Sequence, residues 1–119
     1  MKIYHIIPVE QWKHAQEDGV YRGDTLDSEG FIHFSTQDQV LWVANGRFEG
    51  HTGLLLLEVE TDKLIHELKW EPPFEGAAGQ AADWKFPHLY GVLNLDAVTA
   101  AHPFEPQTDG SFTLPPDVQ

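Results

Sequence analysis

Three histidines stand inside apolar segments of the chain that have the composition of β-strands. His5 lies near the N-terminus, His33 lies in Gly30–Ser35, and His88 lies in Phe86–Gly91. A buried imidazole must be neutral or paired, and its two nitrogens need hydrogen-bond partners. One such histidine is most simply explained by a bond to a backbone carbonyl. Three in one small protein indicate a shared site, where imidazole can act as an acid or a base because it titrates near neutral pH.

Other polar side chains accompany these histidines. Ser35 and Thr36 precede a predicted helix, where they either cap it or contact an anion near its N-terminus. Tyr4 and Tyr90 either pack in the core or stack on a planar ligand. Glu71 is either a solvated strand end or a carboxylate that orients a histidine. The candidate catalytic residues are therefore His33, His88 and Glu71, and the candidate ligand-binding residues are Tyr4, His5, Ser35, Thr36 and Tyr90.

The composition limits the partners that this chain can have. Its 119 residues carry a formal net charge of −12, from 19 acidic and 7 basic residues, and Arg22 and Arg47 are the only arginines. Because binding along a phosphate backbone needs clustered Lys and Arg, nucleic acid is not expected as a partner. A small anionic ligand that is held by one or two local donors remains compatible with this composition.

Cysteine content and hydropathy also exclude some classes of function. The chain has no Cys, so it has neither a disulfide framework nor thiolate chemistry. No apolar run is long enough to span a bilayer, and Met1–His5 resembles the start of a strand more than a signal peptide. We therefore expect no membrane partner and a cytoplasmic location.

Two helices are predicted in the first half of the chain. Val9–Asp18 follows Pro8, and Thr36–Gly46 begins with the capping-box pattern Thr36-x-x-Gln39. The predicted strands are Lys2–Ile7, Gly30–Ser35, Leu54–Glu60, His66–Glu71, Phe86–Gly91 and Val98–Phe104. Strands interrupted by two early helices are typical of an α+β fold.

The predicted organisation is a single domain over residues 1–119. Its core covers about residues 1–104, and residues 109–119 form a loose tail because they combine a polar turn with paired prolines. Gly30–Ser35 is apolar on both faces, which indicates an interior strand. Pro72–Asp83, rich in Pro, Gly and Ala, is interpreted as a mobile loop near a site.

Three segments together resemble a known family. They are Tyr4–Ile6, the Gly-Phe-Ile-His-Phe-Ser-Thr sequence of Gly30–Thr36, and the Phe-Pro-His-Leu-Tyr-Gly-Val-Leu-Asn-Leu-Asp-Ala-Val sequence of Phe86–Val98. Their order and spacing resemble the signature of domain of unknown function 952, which occurs in small bacterial and plant proteins, over roughly residues 1–104. That family in turn resembles the ADP-ribosyltransferase fold. The resemblance implies a split, strongly bent, mostly antiparallel sheet and NAD or ADP-ribose as a substrate.

The same resemblance assigns roles to individual residues. It implies that His5 contacts the ligand ribose and that Leu54–Glu60 is a structural strand despite its two glutamates. In the resembled enzymes the late strand, here Phe86–Gly91, carries a catalytic glutamate, and His88 stands in its place. Ile6 also replaces the glycine that usually follows the first-strand histidine. The fold and a ligand pocket are therefore implied more directly than the transfer reaction.

Several functions remain open at this point. The first is a pocket for a nucleotide-like ligand, including the case of a divergent transferase-like or glycosidic-bond-cleaving enzyme in which His33 or His88 is the acid or base. The second is a binding or interaction module without catalysis. A zinc site is less favoured, because the histidines lie on separate strands without paired spacing. We therefore expect no metal, and the sequence leaves the oligomeric state open.

Overall fold

The computed structural model of the protein describes residues 1–23, 25–73 and 84–118. It has an α+β arrangement with antiparallel sheets, as predicted. The helices are α1 (Val9–Asp18), α2 (Leu26–Glu29) and α3 (Gln37–Arg47). The strands are β1 (Lys2–Pro8), β2 (Val20–Tyr21), β3 (Ile32–His33), β4 (Leu54–Glu60), β5 (Glu67–Glu71), β6 (Phe86–Tyr90), β7 (Leu93–Asn94) and β8 (Val98–Pro103).

Two three-stranded sheets form the framework. One has the order β1-β4-β8 and the other has the order β3-β6-β5, while β2 and β7 form a separate pair. The two large sheets meet at one bridge, where the Tyr4 amide donates to the Ser35 carbonyl at 2.7 Å and the Ser35 amide donates to the Tyr4 carbonyl at 2.8 Å. Since this pair, two residues after the end of β3, is the one backbone bridge between the two sheets among the described residues, there is room for a cleft beside it.

The hydrophobic core occupies both faces of β1 and β4. Ile3 and Ile7 pack with Leu57 and Val59 in one cluster. Tyr4, Ile6, Leu54 and Leu56 pack with α3 in the other. Because successive side chains of a strand alternate between its faces, β1 places His5 on the face of Ile3 and Ile7. The full burial of an aliphatic side chain stabilises the fold by about 1.5–3 kcal/mol, so both clusters hold β1 firmly in place.

The two predicted helices are present, with a small shift in the second. Residues Val9–Asp18 form α1, and Gly19, with φ of 84°, ends it. In α3 the predicted capping box places Thr36 at the N-cap, and the Thr36 amide donates to Gln39 Oε1 at 3.0 Å. The helix runs one residue beyond Gly46, which therefore lies inside α3 instead of ending it.

The prediction of an interior strand over Gly30–Ser35 is wrong. Only Ile32–His33 is strand, at the edge of its three-stranded sheet. Gly30, with φ of 90°, instead caps the short helix α2, and its amide donates to the Leu26 carbonyl at 3.0 Å. Thr25 Oγ1 then donates to the Phe31 carbonyl at 2.7 Å. These two bonds use the Gly30 amide and the Phe31 carbonyl, which a longer strand would have needed for its own hydrogen bonds.

The C-terminal residues are not a loose tail. Phe112 and Val118 are 3% and 4% exposed, and they join the cluster that covers α3. The Phe112 ring stacks on Phe104 with centroids 4.7 Å apart, and its amide donates to Asn45 Oδ1 at 2.7 Å. The tail therefore helps to fix the position of α3.

The predicted mobile loop falls mostly on residues 74–83, which lie outside the described residues. In the described part of the chain, no helix is both long and apolar enough to cross a membrane.

Candidate functional site

A cleft of about 680 Å³ opens beside the bridge that joins the two sheets. Its lining includes His5, His33 and His88 together with the bridge residues Tyr4 and Ser35. The other described lining residues are Ile6, Pro8, Gln11, Tyr21, Thr25, Phe34, Trp42, Val43, Gly46, Arg47, Phe48, Pro73 and Phe86. Five of the eight predicted site residues thus lie around one cavity, whose volume is within the range of small-molecule sites.

His5 uses both ring nitrogens within the protein. Its Nδ1 lies 2.6 Å from the His33 carbonyl oxygen and its Nε2 lies 2.9 Å from the Tyr21 hydroxyl. Because a carbonyl can only accept, Nδ1 donates its proton to the His33 carbonyl. His5 therefore ties β1 to β3 next to the bridge. Nothing in the sequence around Tyr21 indicates its role in this contact.

His88 is oriented by a carboxylate. Its Nδ1 lies 3.0 Å from Glu71 Oε1, and the Tyr90 hydroxyl donates to the same oxygen at 2.6 Å. Since an ionised carboxylate can only accept, the neutral His88 ring carries its proton on Nδ1 and a lone pair on Nε2. The residue is 2% exposed, and Nε2 has no hydrogen-bond partner among the described residues. Buried acceptors without a partner are uncommon in native proteins, and a bound ligand is one explanation for one that lines a cleft.

Burial and hydrogen bonding shift the pKa values of this group. Burial lowers the pKa of His88 below its usual 6.5, although the bond to Glu71 opposes that effect. The Tyr90 hydrogen bond, followed by the His88 bond, lowers the pKa of Glu71. The bond to Glu71 raises the pKa of Tyr90 to about 12. At neutral pH the group therefore consists of a neutral imidazole, a carboxylate and a protonated phenol.

The lowered pKa of His88 predicts a specific loss of stability in mild acid. Below pH 6.5 the unfolded chain binds a proton at this histidine more readily than the folded chain, which favours unfolding. The contribution of neutral His88 to the free energy of unfolding is therefore complete above pH 6.5, and it is lost as the pH falls through the folded-state pKa. We expect the free energy of unfolding to decrease less in His88→Gln than in wild type between about pH 7.5 and about pH 5.5 in urea titrations.

His14→Gln is the control for this measurement, because the His14 side chain is 75% exposed. The groups that influence the charge of His88 are Glu71, His33 and Glu29, and all three remain in the His88 variant. Equal pH dependence in wild type and His88→Gln would contradict the assignment of a buried neutral imidazole.

His33 and Phe31 surround the ring of His88. Phe31 stacks on His88 with centroids 4.2 Å apart and an interplanar angle of 16°, and His33 meets the same ring edge-on at 5.1 Å. The Nε2 of His33 lies 3.3 Å from both carboxylate oxygens of Glu29. The His33 side chain is 27% exposed, so it is the more accessible of the two paired imidazoles. Sequence analysis did not select Phe31 or Glu29.

The cleft differs in charge from the rest of the protein. None of its described lining residues is acidic, although the chain has 19 Asp and Glu residues. Arg47 is the only Lys or Arg among them, and it forms no ion pair with a described residue. Arg22, in contrast, pairs with Asp27 at 2.6 Å outside this cleft. A cation without an ion-pair partner in the described chain, in a cleft that three imidazoles also line, favours an anionic ligand.

One side of α3 forms a wall of the cleft. Trp42, Val43, Gly46 and Arg47 all line it and lie at helical positions i, i+1, i+4 and i+5. Trp42 is 50% exposed, and its ring centroid lies 5.1 Å from that of Trp84 and 5.7 Å from that of Phe86. The spacing of Trp42, Gly46 and Arg47 was visible in the sequence, but the direction in which this side of α3 points was not.

Three predicted site residues do not line the cleft. Thr36 is the N-cap of α3, while Glu71 and Tyr90 are connected to the cleft through His88. In the described ranges, no three His, Asp or Glu side chains are grouped so that they could hold one metal ion. The arrangement thus favours ligand recognition by imidazole, hydroxyl, aromatic and guanidinium groups.

Comparison with known proteins places this site in a family. The model of the family described as protein of unknown function (DUF952) matches residues 6–101. The chain belongs to the DUF952 family. No significant match is found among curated proteins.

Solved structures extend this relationship over almost the whole chain. The crystal structure of protein CC0527 from Caulobacter crescentus is 32% identical, with a TM-score of 0.83 over 99% of this chain and 98% of that one. The solution NMR structure of CC0527 is 34% identical, with a TM-score of 0.74 over 92% of this chain and 90% of that one. The similarity to the CC0527 structure therefore continues beyond residue 101, where the family match ends, into the C-terminal segment that packs on α3.

Proposed function

We propose that the cleft binds a nucleotide-like small molecule, an anion with a planar ring, of the class that includes AMP, ADP-ribose and NAD. The observation that carries this proposal is the composition of the lining. It combines three imidazoles, an aromatic wall and one unpaired arginine, and it has no acidic member among the described residues. A volume of about 680 Å³ is sufficient for a ligand of that size.

The anionic part of the ligand follows from Arg47. In a chain with a net charge of −12, long-range electrostatics oppose the approach of an anion. A free guanidinium can offset this repulsion locally, because it binds phosphate through two parallel hydrogen bonds. The absence of carboxylates from the described lining removes the strongest short-range repulsion. These features together favour phosphate over a neutral or cationic group.

We also propose that the sheets correspond to the split, bent sheet of the ADP-ribosyltransferase fold. Two antiparallel sheets with a backbone bridge between Tyr4 and Ser35, and with a cleft at this junction, support this assignment. The site differs from those enzymes in two respects. The nitrogens of His5 are already bonded to protein groups. In the proposed correspondence, His88 stands where those enzymes have the catalytic glutamate. This combination favours ligand binding over efficient transfer.

A second candidate function is proton transfer by His88, and its unpaired Nε2 is the observation that favours it. In this role Glu71 holds the Nδ1 proton, Nε2 accepts a proton from a ligand hydroxyl or from water, and His33 is the second acid or base. A neutral imidazole with a pKa below 6.5 is ready to accept a proton at neutral pH. The binding function does not require this step.

Isothermal titration calorimetry with AMP, ADP-ribose and NAD tests the proposed function. We expect saturable binding of at least one of them to wild type with a Kd below about 1 mM. Since a charged hydrogen bond contributes about 1.5–3 kcal/mol, Arg47→Gln should weaken binding about ten- to a hundredfold. Arg22→Gln is the matched control and should bind as wild type does, because Arg22 pairs with Asp27 outside the cleft. Failure of wild type to bind any of the three ligands would refute the proposal.

A further inference from the structure

We infer that the last turn of α3 is the subsite for the planar ring of the ligand, with the bare backbone of Gly46 as its floor and Trp42 as its wall. This inference rests on the proposed function and adds to it the place and orientation of the ring. The two residues are one helical turn apart, and both line the cleft.

Gly46 is the first argument for this subsite. Glycine destabilises a helix interior relative to alanine, and α3 continues past Gly46 to Arg47. Gly46 is not among the glycines with positive φ, so its backbone does not require glycine. A Cβ atom placed on it would meet no atom of the described residues within 4 Å, so packing against this part of the chain does not require glycine either. A close approach by a ligand in the cleft explains why a side chain is absent here.

Trp42 is the second argument. It is 50% exposed, which is unusual for the largest apolar side chain, and it lines the cleft. Contacts with Trp84 and Phe86 hold its ring in place. Because Cβ bonds tilt toward the N-terminus of a helix, the Trp42 side chain leaves the backbone at Gly46 uncovered. A flat ring can therefore lie on Gly46 with its edge or face against Trp42.

Arg47 fixes which side of this ring carries the anion. The C-terminal end of a helix has a partial negative charge, which repels a phosphate. Arg47 is in the last turn of α3, next to Gly46, so its guanidinium can compensate for that charge and bind the phosphate. The subsite therefore fits a heteroaromatic ring joined to a phosphate over a short distance, as in a nucleoside monophosphate.

Substitutions at Gly46 separate this subsite from a structural role. Gly46→Ala should raise the melting temperature by about 2–5 °C, since alanine is the better helix former. The same variant should bind AMP about fivefold more weakly, and Gly46→Leu about a hundredfold more weakly, because their side chains occupy the place of the ring. A more stable protein that binds less well cannot be explained by damage to the fold.

Ligand fragments and a second tryptophan complete the test. Trp42→Ala should weaken the binding of AMP and of adenosine about tenfold, since both carry the ring. The binding of ribose 5-phosphate, which has no such ring, should be unchanged. Trp70→Ala is the matched control, because Trp70 is 42% exposed and does not line the cleft. If the Gly46 and Trp42 variants bind AMP as wild type does while Arg47→Gln does not, the ring subsite is refuted and the proposed function stands. If wild type does not bind AMP, ADP-ribose or NAD, both are refuted.

Discussion

Wild-type protein incubated with NAD is expected to release nicotinamide on the order of 10² to 10³ times more slowly than an ADP-ribosyltransferase assayed in parallel. The resembled enzymes stabilise an oxocarbenium-like transition state with a carboxylate on the late strand. In the proposed correspondence to that fold, this position is taken by His88, whose ring is neutral at neutral pH because burial lowers its pKa. A neutral imidazole does not supply the opposite charge. Binding of NAD should therefore persist without efficient turnover.

The carboxylate of Glu71 does not restore the missing charge. It lies on the Nδ1 side of His88 and does not line the cleft. A nicotinamide-release assay of wild type, His88→Ala and His102→Gln tests this account. His102 is a suitable control because its Nε2 is also buried without a hydrogen-bond partner in the described chain, but it lies outside the cleft. Rapid release that His88→Ala alone abolishes would show that the imidazole has taken over the role of the carboxylate.

Phe112→Ala is expected to lower the free energy of unfolding by about 3–5 kcal/mol, because it leaves a cavity in place of a fully packed ring. Phe112 is 3% exposed and stacks on Phe104 in the cluster that covers α3. The loss should appear as a lower midpoint in urea with an unchanged slope. It should also weaken ligand binding where the variant remains folded, because the tail bonds to Asn45 beside Gly46.

Thr113→Ala is the matched control for the tail, since the neighbouring Thr113 is exposed and its loss should change the free energy of unfolding by less than about 0.5 kcal/mol. A Phe112→Ala variant as stable as Thr113→Ala would mean that the C-terminal segment is not packed on α3 in solution.

Local pattern was sufficient to predict the longer elements. The apolar run of β4 and the Pro8 and Gly19 boundaries of α1 each depend on residues close together in sequence. The prediction of a strand over Gly30–Ser35 was wrong because Gly30 has a left-handed conformation that ends α2. The composition of the segment does not reveal this conformation. The prediction of a loose C-terminal tail was wrong for a different reason. Its polar turn and prolines look unstructured, whereas Phe112 is buried by contacts with Phe104 and α3.

The candidate site was partly predictable, because some of its residues stand out from their neighbours in the sequence and others do not. His5, His33 and His88 stood out because imidazoles are uncommon in apolar strands. Their hydrogen-bond partners were harder to assign. Tyr21 lies 16 residues from His5 in the sequence. Glu29 is only four residues before His33, but it lies in α2, outside the predicted strand. Arg47 and Gly46 could not be assigned from sequence, since their position in the cleft depends on how α3 packs against β1 and the tail.

A ¹H–¹⁵N NMR titration with AMP tests most directly the central claim, that this cleft is the ligand site. The four tryptophans supply indole N–H reporters, and Trp42 lines the cleft whereas Trp12 and Trp70 do not. We predict saturable shifts at the Trp42 indole and the Gly46 amide, with the Trp12 and Trp70 indoles unchanged. Shifts confined to Trp70 or Trp12, or no saturable shift at Trp42 and Gly46 at millimolar AMP, would contradict it.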